Sequence, residues 1–322
     1  MRAARVTVLD GPDAVEVVDV PEPVAAPDQV VIDVRAAGVT YPDVLLTRGE
    51  YQIRPEPPFV LGSEVAGVVR QAPPGSGLGP GDRVCAFSGL GGFAEVAVAA
   101  PDATFAVPDS VSFAAAAALP MNYFTMQFAL VRRGRLRPGE TVLVHGAAGG
   151  IGTAAVQLAK AVGARVVGVV STEAKAAVAR QAGADDVVPS EDFRAAVARL
   201  TGGRGVDLVV DPVGGDRITD SLRSLAPEGR HLVIGFTEGE IPTVRVNRLL
   251  LNNLDVVGVG WGAFWLAHPG YLAQQWAQLR PEVESGRLVP VVGTTMGLED
   301  AARAIGLLDR REALGKVVLE VR

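Results

Sequence analysis

The chain has 322 residues, a formal net charge of −6 and hydrophobic residues at 48% of its positions. This globular composition excludes a disordered or fibrous chain. The acidic balance, without a basic stripe or tail, argues against nucleic acid as a partner. Its one cysteine, Cys85, excludes a disulfide framework and a four-cysteine zinc site. With no apolar run of about 18 residues and no signal-peptide pattern, we expect a cytoplasmic protein without a membrane span.

Short valine-rich runs separated by glycine and proline occupy the first third of the chain. Alternation of apolar and polar residues between turn residues is typical of half-buried strands. We therefore predict an antiparallel, β-rich domain over residues 1–118. Its predicted strands include Val15–Val20, Val30–Ala36, Glu64–Arg70 and Ala94–Ala99.

Beyond Ser112 a helical stretch, Phe113–Leu119, leads into a second one, Asn122–Val131, and strands then alternate with helices. The strands are nearly continuous in valine and leucine, which indicates burial on both faces of a parallel sheet. We predict a Rossmann-type, doubly wound α/β domain over residues 119–260. The predicted strands are Thr141–His145, Arg165–Val170, Asp186–Val188, Asp207–Asp211, His231–Gly235 and Leu254–Val259, and helices are predicted between them.

The last segment, residues 261–322, contains a predicted helix, Tyr271–Glu284, and a predicted final strand, Lys316–Val321. We expect this segment to return to the first domain and complete it. The order along the chain would then be β-rich domain, nucleotide-type domain and completion of the β-rich domain.

A glycine-rich turn follows the first strand of the predicted parallel sheet. Against the pattern G-x-G-x-x-G it reads A-x-G-x-x-G, with Ala147 at the first position. The second glycine lets the backbone approach a pyrophosphate, and the third allows close packing of helix on strand. The pyrophosphate would lie on the amides at the helix N-terminus; the alternative is a tight turn without a nucleotide. The predicted dinucleotide-binding residues here are Ala148, Gly149, Gly150, Ile151 and Gly152.

The residues at the end of the second strand of the predicted parallel sheet decide whether the site prefers NADH or NADPH. An NAD site needs an acidic residue there to bind both ribose hydroxyls, but the strand is followed by Ser171 and Thr172. Lys175, one of only three lysines in the chain, lies one helical turn further on. This pattern favours the extra 2′-phosphate, so we predict NADPH, provided that Glu173 points away from the site. The alternative for Lys175 is an ordinary solvated helix lysine.

Six stretches carry a resemblance in combination: Ala36–Asp43, Leu61–Gly67, Gly91–Glu95, His145–Gly152, Asp211–Gly215 and Gly315–Leu319. Together they resemble one family, the zinc-free medium-chain dehydrogenases/reductases of the quinone oxidoreductase (zeta-crystallin-like) branch. The resemblance implies a GroES-like first domain and NADPH-dependent reduction of a quinone or an α,β-unsaturated carbonyl in a cleft between the domains. In the family's zinc alcohol dehydrogenases a cysteine stands at the position of Thr40 and a histidine at that of Ser63, so the resemblance implies no catalytic metal.

The same resemblance implies further contacts with the cofactor. Thr40 and Ser190 depart from the family, which often has asparagine and tyrosine there. Each can still donate one hydrogen bond. The further positions implied to contact the cofactor are Thr125, Ser190, Val213, Gly235, Phe236, Gly260, Trp261 and Gly262.

Reduction of an enone benefits from a proton donor, and the phenol of a tyrosine can serve. Tyr51 aligns with the donor tyrosine of similar enoyl reductases, and Tyr41 is the second candidate; Thr40 is the third side chain placed at the reaction centre. The alternative for either tyrosine is a packed aromatic side chain. Tyr51, Trp261 and Phe264 are expected to line the substrate pocket, although interface packing is the alternative for the latter two.

Two residues and the oligomeric state complete the expectations. Asp43 is expected to fix its loop through backbone amides, whereas His145 either touches the cofactor or packs in the core. The resemblance also implies a homodimer through the apolar edge strand at residues 253–260. Two other functions stay open: an enoyl thioester reductase, for which Arg48 and Arg54 would bind the carrier phosphate, and a cofactor-binding structural or RNA-binding protein without turnover.

Overall fold

The computed structural model describes residues 1–321, which divide into two compact units. The first unit contains residues 1–122, residues 272–277 and the chain from 292 onward, and the second contains residues 123–271 and 278–291. Within the described residues, no helix has both the length and the apolar character needed to cross a membrane.

The first unit begins with eight strands and two short helices. Proline-led 3₁₀ turns at Pro12–Ala14 and Pro101–Ala103 separate some of them. The elements are β1 (Arg2–Val6), β2 (Val15–Asp19), β3 (Val30–Val39), α1 (Tyr41–Thr47), β4 (Phe59–Val60), β5 (Glu64–Gln71), β6 (Arg83–Phe87), β7 (Val96–Ala99), β8 (Thr104–Ala106) and α2 (Phe113–Ala117).

The middle of the chain alternates strands with helices, as the sequence predicts. The elements are α3 (Pro120–Gln127), β9 (Thr141–His145), α4 (Gly150–Val162), β10 (Arg165–Val170), α5 (Glu173–Gln181), β11 (Asp186–Pro189), α6 (Phe193–Leu200), β12 (Val206–Asp211), α7 (Ile218–Arg223), β13 (Leu225–Val233), α8 (Asn247–Asn252), β14 (Asp255–Gly258), α9 (Trp261–Leu266) and α10 (Tyr271–Glu284). The last part contains β15 (Val292–Gly297), α11 (Ala301–Asp309) and β16 (Lys316–Glu320).

The two units have different sheets. In the first unit, a three-stranded sheet has the order β2-β1-β4, and a seven-stranded sheet has the order β15-β16-β3-β5-β6-β8, with β7 also paired to β3. Every pair in these sheets is antiparallel except β15 with β16. The second unit has one six-stranded parallel sheet with the order β11-β10-β9-β12-β13-β14. The predicted fold class, a β-rich domain plus a doubly wound parallel sheet, is confirmed.

The cores explain why these runs form strands. Ile32, Leu61 and Phe93 are fully buried in the first unit. Leu143 and Val209, on adjacent parallel strands, are fully buried in the second, where both faces of the sheet are covered by helices. Consecutive apolar residues are needed only where a strand is buried on both faces, as in this parallel sheet.

The structure corrects three predicted boundaries. The predicted helix Asn122–Val131 is α-helical only to Gln127 and continues as a π-helical turn, Phe128–Arg133, in which the Gly134 amide donates to the Ala129 carbonyl at 2.7 Å. The strand predicted at His231–Gly235 is β13, which begins at Leu225 and ends at Val233. The early start comes from the pairing of Leu225 with Val206 on β12, which precedes a register shift and leaves no local sequence signal.

The predicted completing segment, residues 261–322, is the third correction, because part of it belongs to the second unit. Gln127 donates to the Gln278 side chain at 2.5 Å, and Gln157 bonds both the carbonyl and the amide of Val289, at 2.7 and 3.1 Å. These side-chain bonds tie residues 278–291 to the second unit. The return to the first unit is made by residues 272–277 and by the chain from β15 onward.

Candidate functional site

The carboxyl ends of the six parallel strands form one edge of the second unit's sheet, which we call the nucleotide edge. The chain leaves β9 for β10 and β11 on one side and then crosses to β12 on the other, so the order of strands reverses between β9 and β12. Ligands of open parallel sheets bind at such a switch point. The predicted residues that follow the strands along this edge are Ser190, Ser171, Gly149, Val213, Gly235 and Gly260, after β11, β10, β9, β12, β13 and β14 respectively.

The glycine turn at this edge contains two glycines with different roles. A Cβ on Gly152 would overlap the carbonyl oxygen of Gly146, so helix α4 can pack this closely on the turn only without a side chain there. A Cβ on Gly149 would meet only that same oxygen, at 3.5 Å, and otherwise opens into space. The amides of Gly150 and Ile151, in the first turn of α4, have no partner within the helix and are available to a phosphate.

The alanine that replaces the first glycine has a local explanation. Ala147 is fully buried, and its amide donates to the Val169 carbonyl at 3.2 Å. On the neighbouring strand, a Cβ at Gly168 would come within 3.0 Å of the Ala147 Cβ. The glycine on β10 therefore leaves space for the methyl group of Ala147.

The end of β10 brings together the residues predicted to bind the 2′-phosphate. The Nζ atom of Lys175 lies 3.3 Å from Oγ of the exposed Ser171. Thr172 is the N-cap of helix α5, and its hydroxyl oxygen accepts the Lys175 amide at 3.3 Å. Glu173 forms an ion pair with Arg180 at 2.6 Å, and 83% of its side chain is exposed. Its carboxylate is therefore directed along the outer face of the helix, toward Arg180. Ser190 is held beside this corner, because its amide donates to the Val170 carbonyl at 2.8 Å.

The turn after β12 is held by a buried carboxylate. Asp211 Oδ1 accepts the amides of Val213 and Gly214, each at 2.9 Å. Burial acts to raise the pKa of Asp211, but contacts with His231, whose Nε2 lies 3.4 Å from Oδ2, and with the turn amides hold it well below its usual range. The sequence marked Asp211 only as part of a motif. The signal for its role was an acidic residue ending an otherwise apolar strand.

His145, at the end of β9, packs in the core. It is fully buried, its ring meets Phe193 edge-on, and Nε2 lies 2.8 Å from the Ser221 hydroxyl. The Ser221 hydroxyl donates to the Arg217 carbonyl, so Nε2 of His145 must carry the proton in this bond. Burial lowers the pKa of His145 to about 4, and the ring is neutral at neutral pH.

The ends of β13 and β14 carry the aromatic residues of the nucleotide edge. Phe236 is half-buried and lies against the turn at Gly214, where a Cβ would be 2.9 Å from its ring. Trp261 is buried, with its ring 6.3 Å from that of Phe124 on α3, the helix that also carries the buried Thr125. The ring of Phe264 packs against those of Phe128, Tyr271 and His268, at 5.1, 4.9 and 3.9 Å between centroids.

In the first unit, Thr40 and Asp43 form a tight pair where β3 ends and α1 begins. The Thr40 amide and hydroxyl both donate to Oδ2 of Asp43, at 2.7 and 2.6 Å. Asp43 thus fixes this loop through a backbone amide, as expected. Its other oxygen, Oδ1, is buried without a hydrogen-bond partner. Burial raises the pKa of Asp43 to about 6, although the hydrogen bonds from Thr40 act in the opposite direction.

A buried ion pair lies beside them, and the sequence reasoning missed it. Lys316 on β16 bonds Glu64 on β5, and the exposed fractions of the two side chains are 3% and 0%. The second oxygen of Glu64 accepts the Met121 amide at 2.6 Å. Gly38 leaves space for this pair, because a Cβ there would overlap the Glu64 carboxylate. The available signal was a charged residue at the start of each of two apolar strands.

The two candidate tyrosines are half-buried against the core of the first unit. Burial, and then the negative charge of Asp43, raise the pKa of Tyr51. Burial, and then Asp309, raise the pKa of Tyr41. Both phenols therefore keep their protons at neutral pH. Arg48, considered as a ligand for a carrier phosphate, forms an ion pair with Asp309 at 2.8 Å.

The donors at the positions corresponding to zinc ligands are two hydroxyls, Thr40 and Ser63. The Thr40 hydroxyl donates its proton to Asp43, and protein-bound zinc takes thiolate, imidazole or carboxylate ligands. These residues do not fit a catalytic zinc ion. Over residues 1–321 there is also no group of three or more histidine, cysteine, aspartate or glutamate side chains arranged to hold a metal.

Two family models match the chain. The model described as "Alcohol dehydrogenase GroES-like domain" matches residues 26–109, and the one described as "Zinc-binding dehydrogenase" matches residues 150–282. The first lies within the first unit and the second begins at helix α4.

Similar proteins cover the whole chain. Quinone oxidoreductase-like protein 2 of Bos taurus is 36% identical over 325 aligned residues, 100% of this chain and 93% of that one. The structure of a probable oxidoreductase from Mycobacterium abscessus is 46% identical, with a TM-score of 0.92, and covers 100% of this chain and 99% of its own. The quinone oxidoreductase from Thermus thermophilus, also solved as its complex with NADPH, is 35% identical, with a TM-score of 0.86 and full coverage of both chains.

The resemblance found in the sequence is therefore confirmed at three levels. The family models match both units, the curated relative matches along the whole chain, and the solved structures share the fold. The chain belongs to the quinone oxidoreductase family of the medium-chain dehydrogenases/reductases, and it is an oxidoreductase.

Proposed function

We propose that this protein is an NADPH-dependent reductase that transfers hydride to a quinone or an α,β-unsaturated carbonyl without a metal ion. The observation that carries the proposal is the corner at the end of β10. There the Lys175 ammonium and the Ser171 hydroxyl lie 3.3 Å apart, and the neighbouring Glu173 carboxylate is paired with Arg180. A cation beside a hydroxyl at the end of this strand suits a 2′-phosphate, whereas an NAD site has an acidic residue there that binds both ribose hydroxyls.

The nucleotide edge offers a binding residue for each part of NADPH. The glycine turn and the first amides of α4 would bind the pyrophosphate, and Ser171, Thr172, Lys175 and Ser190 the adenosine end. The residues after β12, β13 and β14 would flank the nicotinamide, together with Thr125. When bound, NADPH supplies the hydride, and the protein supplies orientation and exclusion of competing reactions.

Lys175→Ala is expected to weaken NADPH binding about 10- to 100-fold, because a charged hydrogen bond is worth roughly 1.5–3 kcal/mol. NADH binding should change little, because NADH lacks the 2′-phosphate. Calorimetric titration of both nucleotides measures the two dissociation constants. Lys160→Ala is the matched control, since Lys160 pairs with Asp185 at 2.7 Å, away from the nucleotide edge. Equal loss of NADH and NADPH affinity in Lys175→Ala would contradict the assignment.

The metal-free part of the proposal is supported by the Thr40–Asp43 pair and by the hydroxyl of Ser63, which are poor zinc ligands. Without a metal to polarise an alcohol, the acceptor must already be electron-poor, as quinones and enones are. The test is NADPH oxidation by the enzyme, dialysed against a chelator, with a 1,4-quinone, a short enone and an enoyl thioester. We expect turnover with the quinone and the enone. Neither the chelator nor added zinc should lower the rate. The absence of turnover with both the quinone and the enone would refute the proposal.

We also propose a homodimer formed through the edge of the second unit's sheet. Strand β14 pairs with β13 on one side, and exposed apolar side chains lie on and before it. An open strand edge with apolar neighbours is suited to pairing with a second copy across a two-fold axis. The side chains are Ile241, Val246, Leu250, Leu251 and Val256, with exposed fractions of 72, 75, 78, 75 and 38%.

Leu250→Arg combined with Val256→Arg is expected to convert the dimer to a monomer, because two buried charges would face each other across the two-fold axis. Size-exclusion chromatography with light scattering gives the mass directly. Val289→Arg introduces the same charge at another exposed apolar position, 55% exposed, and should leave the mass unchanged. A monomeric wild-type protein would disprove the dimer.

A further inference from the structure

A corner of the first unit gathers polar groups around one buried carboxyl. Thr40 follows β3, Ser63 precedes β5, and the register of these strands pairs Gly38 with Glu64, so Thr40 and Ser63 lie at neighbouring strand ends. Asp43 lies in the first turn of helix α1, and the pKa of Tyr51 is raised by burial and then by the charge on Asp43. The Thr40 and Ser63 hydroxyls therefore lie at the end of the β3–β5 pair where helix α1, which carries Asp43, begins.

Two atoms in this corner have no partner in the protein. Asp43 Oδ2 accepts twice from Thr40, but Asp43 Oδ1 and Ser63 Oγ are buried and make no hydrogen bond. The exposed fractions of the two residues are 0% and 4%. Leaving buried polar atoms unsatisfied is unfavourable, so we expect these two atoms to bond a water molecule or a polar group of a ligand.

The direction of the Thr40–Asp43 bond depends on whether the carboxyl is ionised. When it is ionised, the Thr40 hydroxyl must donate to Oδ2 and cannot donate to a ligand, since a hydroxyl has one proton. When Oδ2 carries a proton, that proton can be donated to Thr40 Oγ1 instead, and the Thr40 proton becomes available to a ligand. The Thr40 amide continues to donate to Oδ2 in both states.

The charged groups around Asp43 allow both states near neutral pH. Lys316 on β16 favours the ionised form and Glu64 on β5 opposes it, but those two groups are bonded to each other. Burial therefore dominates and raises the pKa of Asp43 to about 6. Of the other neighbours of α1, Tyr51 is neutral, Arg48 and Asp309 pair with each other, and Asp13 in the Pro12–Ala14 turn is exposed.

We propose that Asp43 is a positioning residue that determines whether Thr40 donates a proton to an enone acceptor, so that enone reduction requires the protonated carboxyl and quinone reduction does not. This inference rests on the proposed function and adds a substrate-dependent role for Asp43. It differs from the prediction that Tyr51 is the donor.

NADPH would supply the hydride and be oxidised to NADP⁺. The hydride forms a C–H bond at the β-carbon of the enone, the carbon–carbon π bond breaks, and its electron pair moves into an enolate. The enolate takes the Thr40 proton, Thr40 takes the proton from Asp43 Oδ2, and Asp43 is reprotonated by water between turnovers. A quinone becomes a hydroquinone anion that is stable enough to take its proton from water, so it does not need this route.

Asp43→Asn tests the inference, because asparagine has the same shape but does not titrate. For the wild-type enzyme at saturating NADPH, kcat with a short enone should fall about tenfold per pH unit above pH 7. In Asp43→Asn the enone profile should be flat from pH 5 to 8, and the ratio of enone to quinone kcat should no longer depend on pH. Asp13→Asn removes an exposed carboxyl next to the same helix and should keep the wild-type profile.

A second pair of variants covers the case in which Asp43→Asn does not fold. Thr40→Val should lower kcat for the enone relative to the quinone at every pH, with a smaller effect on KM, and Thr40→Ser should restore the ratio. Carbon NMR of aspartate carboxyls in the protein without substrate gives an independent readout. One aspartate carboxyl should titrate near pH 6, and in Thr40→Val the same resonance should titrate at higher pH, because the Thr40 hydroxyl bond lowers the pKa of Asp43.

The outcomes separate this inference from the proposed function. No turnover with either acceptor defeats the proposed function. Quinone turnover with no enone turnover, or an enone profile that is the same in wild type and Asp43→Asn, defeats the inference alone. A quinone profile that flattens together with the enone profile also overturns it, because Asp43 would then act on a step common to both acceptors.

Discussion

Replacing Lys316 by methionine should lower the free energy of unfolding by roughly 3–5 kcal/mol, because it leaves the Glu64 carboxylate buried and uncompensated. The Lys316 and Glu64 side chains are 3% and 0% exposed, so water cannot replace the lost ammonium. The loss should appear in urea unfolding, followed by circular dichroism, as a lower midpoint with an unchanged slope. The effect should be on stability, because the pair holds β5, β16 and the Met121 amide together.

A surface lysine provides the matched control for this experiment. Lys160 pairs with Asp185 at 2.7 Å, but its side chain is 38% exposed, so Lys160→Met should cost no more than about 1 kcal/mol. The double variant Glu64→Gln with Lys316→Met removes both charges, and its amide oxygen can still accept the Met121 amide. It should recover much of the stability lost in Lys316→Met. Equal losses in Lys316→Met and Lys160→Met would show that the buried pair is not important for stability.

Gly149→Ala should weaken NADPH binding about 100-fold, or about 2.7 kcal/mol, without lowering the stability of the protein. The added methyl group meets no atom of the protein closer than 3.5 Å, but it occupies the approach to the first amides of α4, where we propose the pyrophosphate binds. Calorimetric titration measures the affinity, and the thermal midpoint without nucleotide measures the stability. Undiminished NADPH binding would contradict the proposed position of the pyrophosphate.

Gly152→Ala makes the same chemical change one helical turn away and should have a different effect. Its methyl group would overlap the Gly146 carbonyl oxygen, so the turn or the helix must move, at a cost of roughly 1–3 kcal/mol. Alanine is a better helix former than glycine by about 1 kcal/mol, which offsets part of this cost. The thermal midpoint should therefore fall for Gly152→Ala and stay constant for Gly149→Ala. A reversal of that order would show that the two glycines do not have the roles we assign.

The sequence was most informative where the physical signal is local. The strands Thr141–His145 and Arg165–Val170 and the helix Tyr271–Glu284 have the predicted bounds. Burial on both faces of a parallel sheet requires consecutive apolar residues, and a glycine turn between strand and helix has its own spacing. The π-helical turn Phe128–Arg133 and the early start of β13 leave no such local pattern, and both were missed.

For the candidate site, the sequence by itself determined the glycine turn and the serine and lysine at the end of β10, since these lie within a few positions of strands it identified. The tertiary structure decided the rest. Lys316 and Glu64 are 252 positions apart in the sequence. They meet only because their strands, β16 and β5, pair with the two sides of β3. The raised pKa of Asp43 follows from burial among groups of other elements, which spacing along a chain does not encode. Local patterns identify elements, and only their packing sets which charges are buried together and what their protons can do.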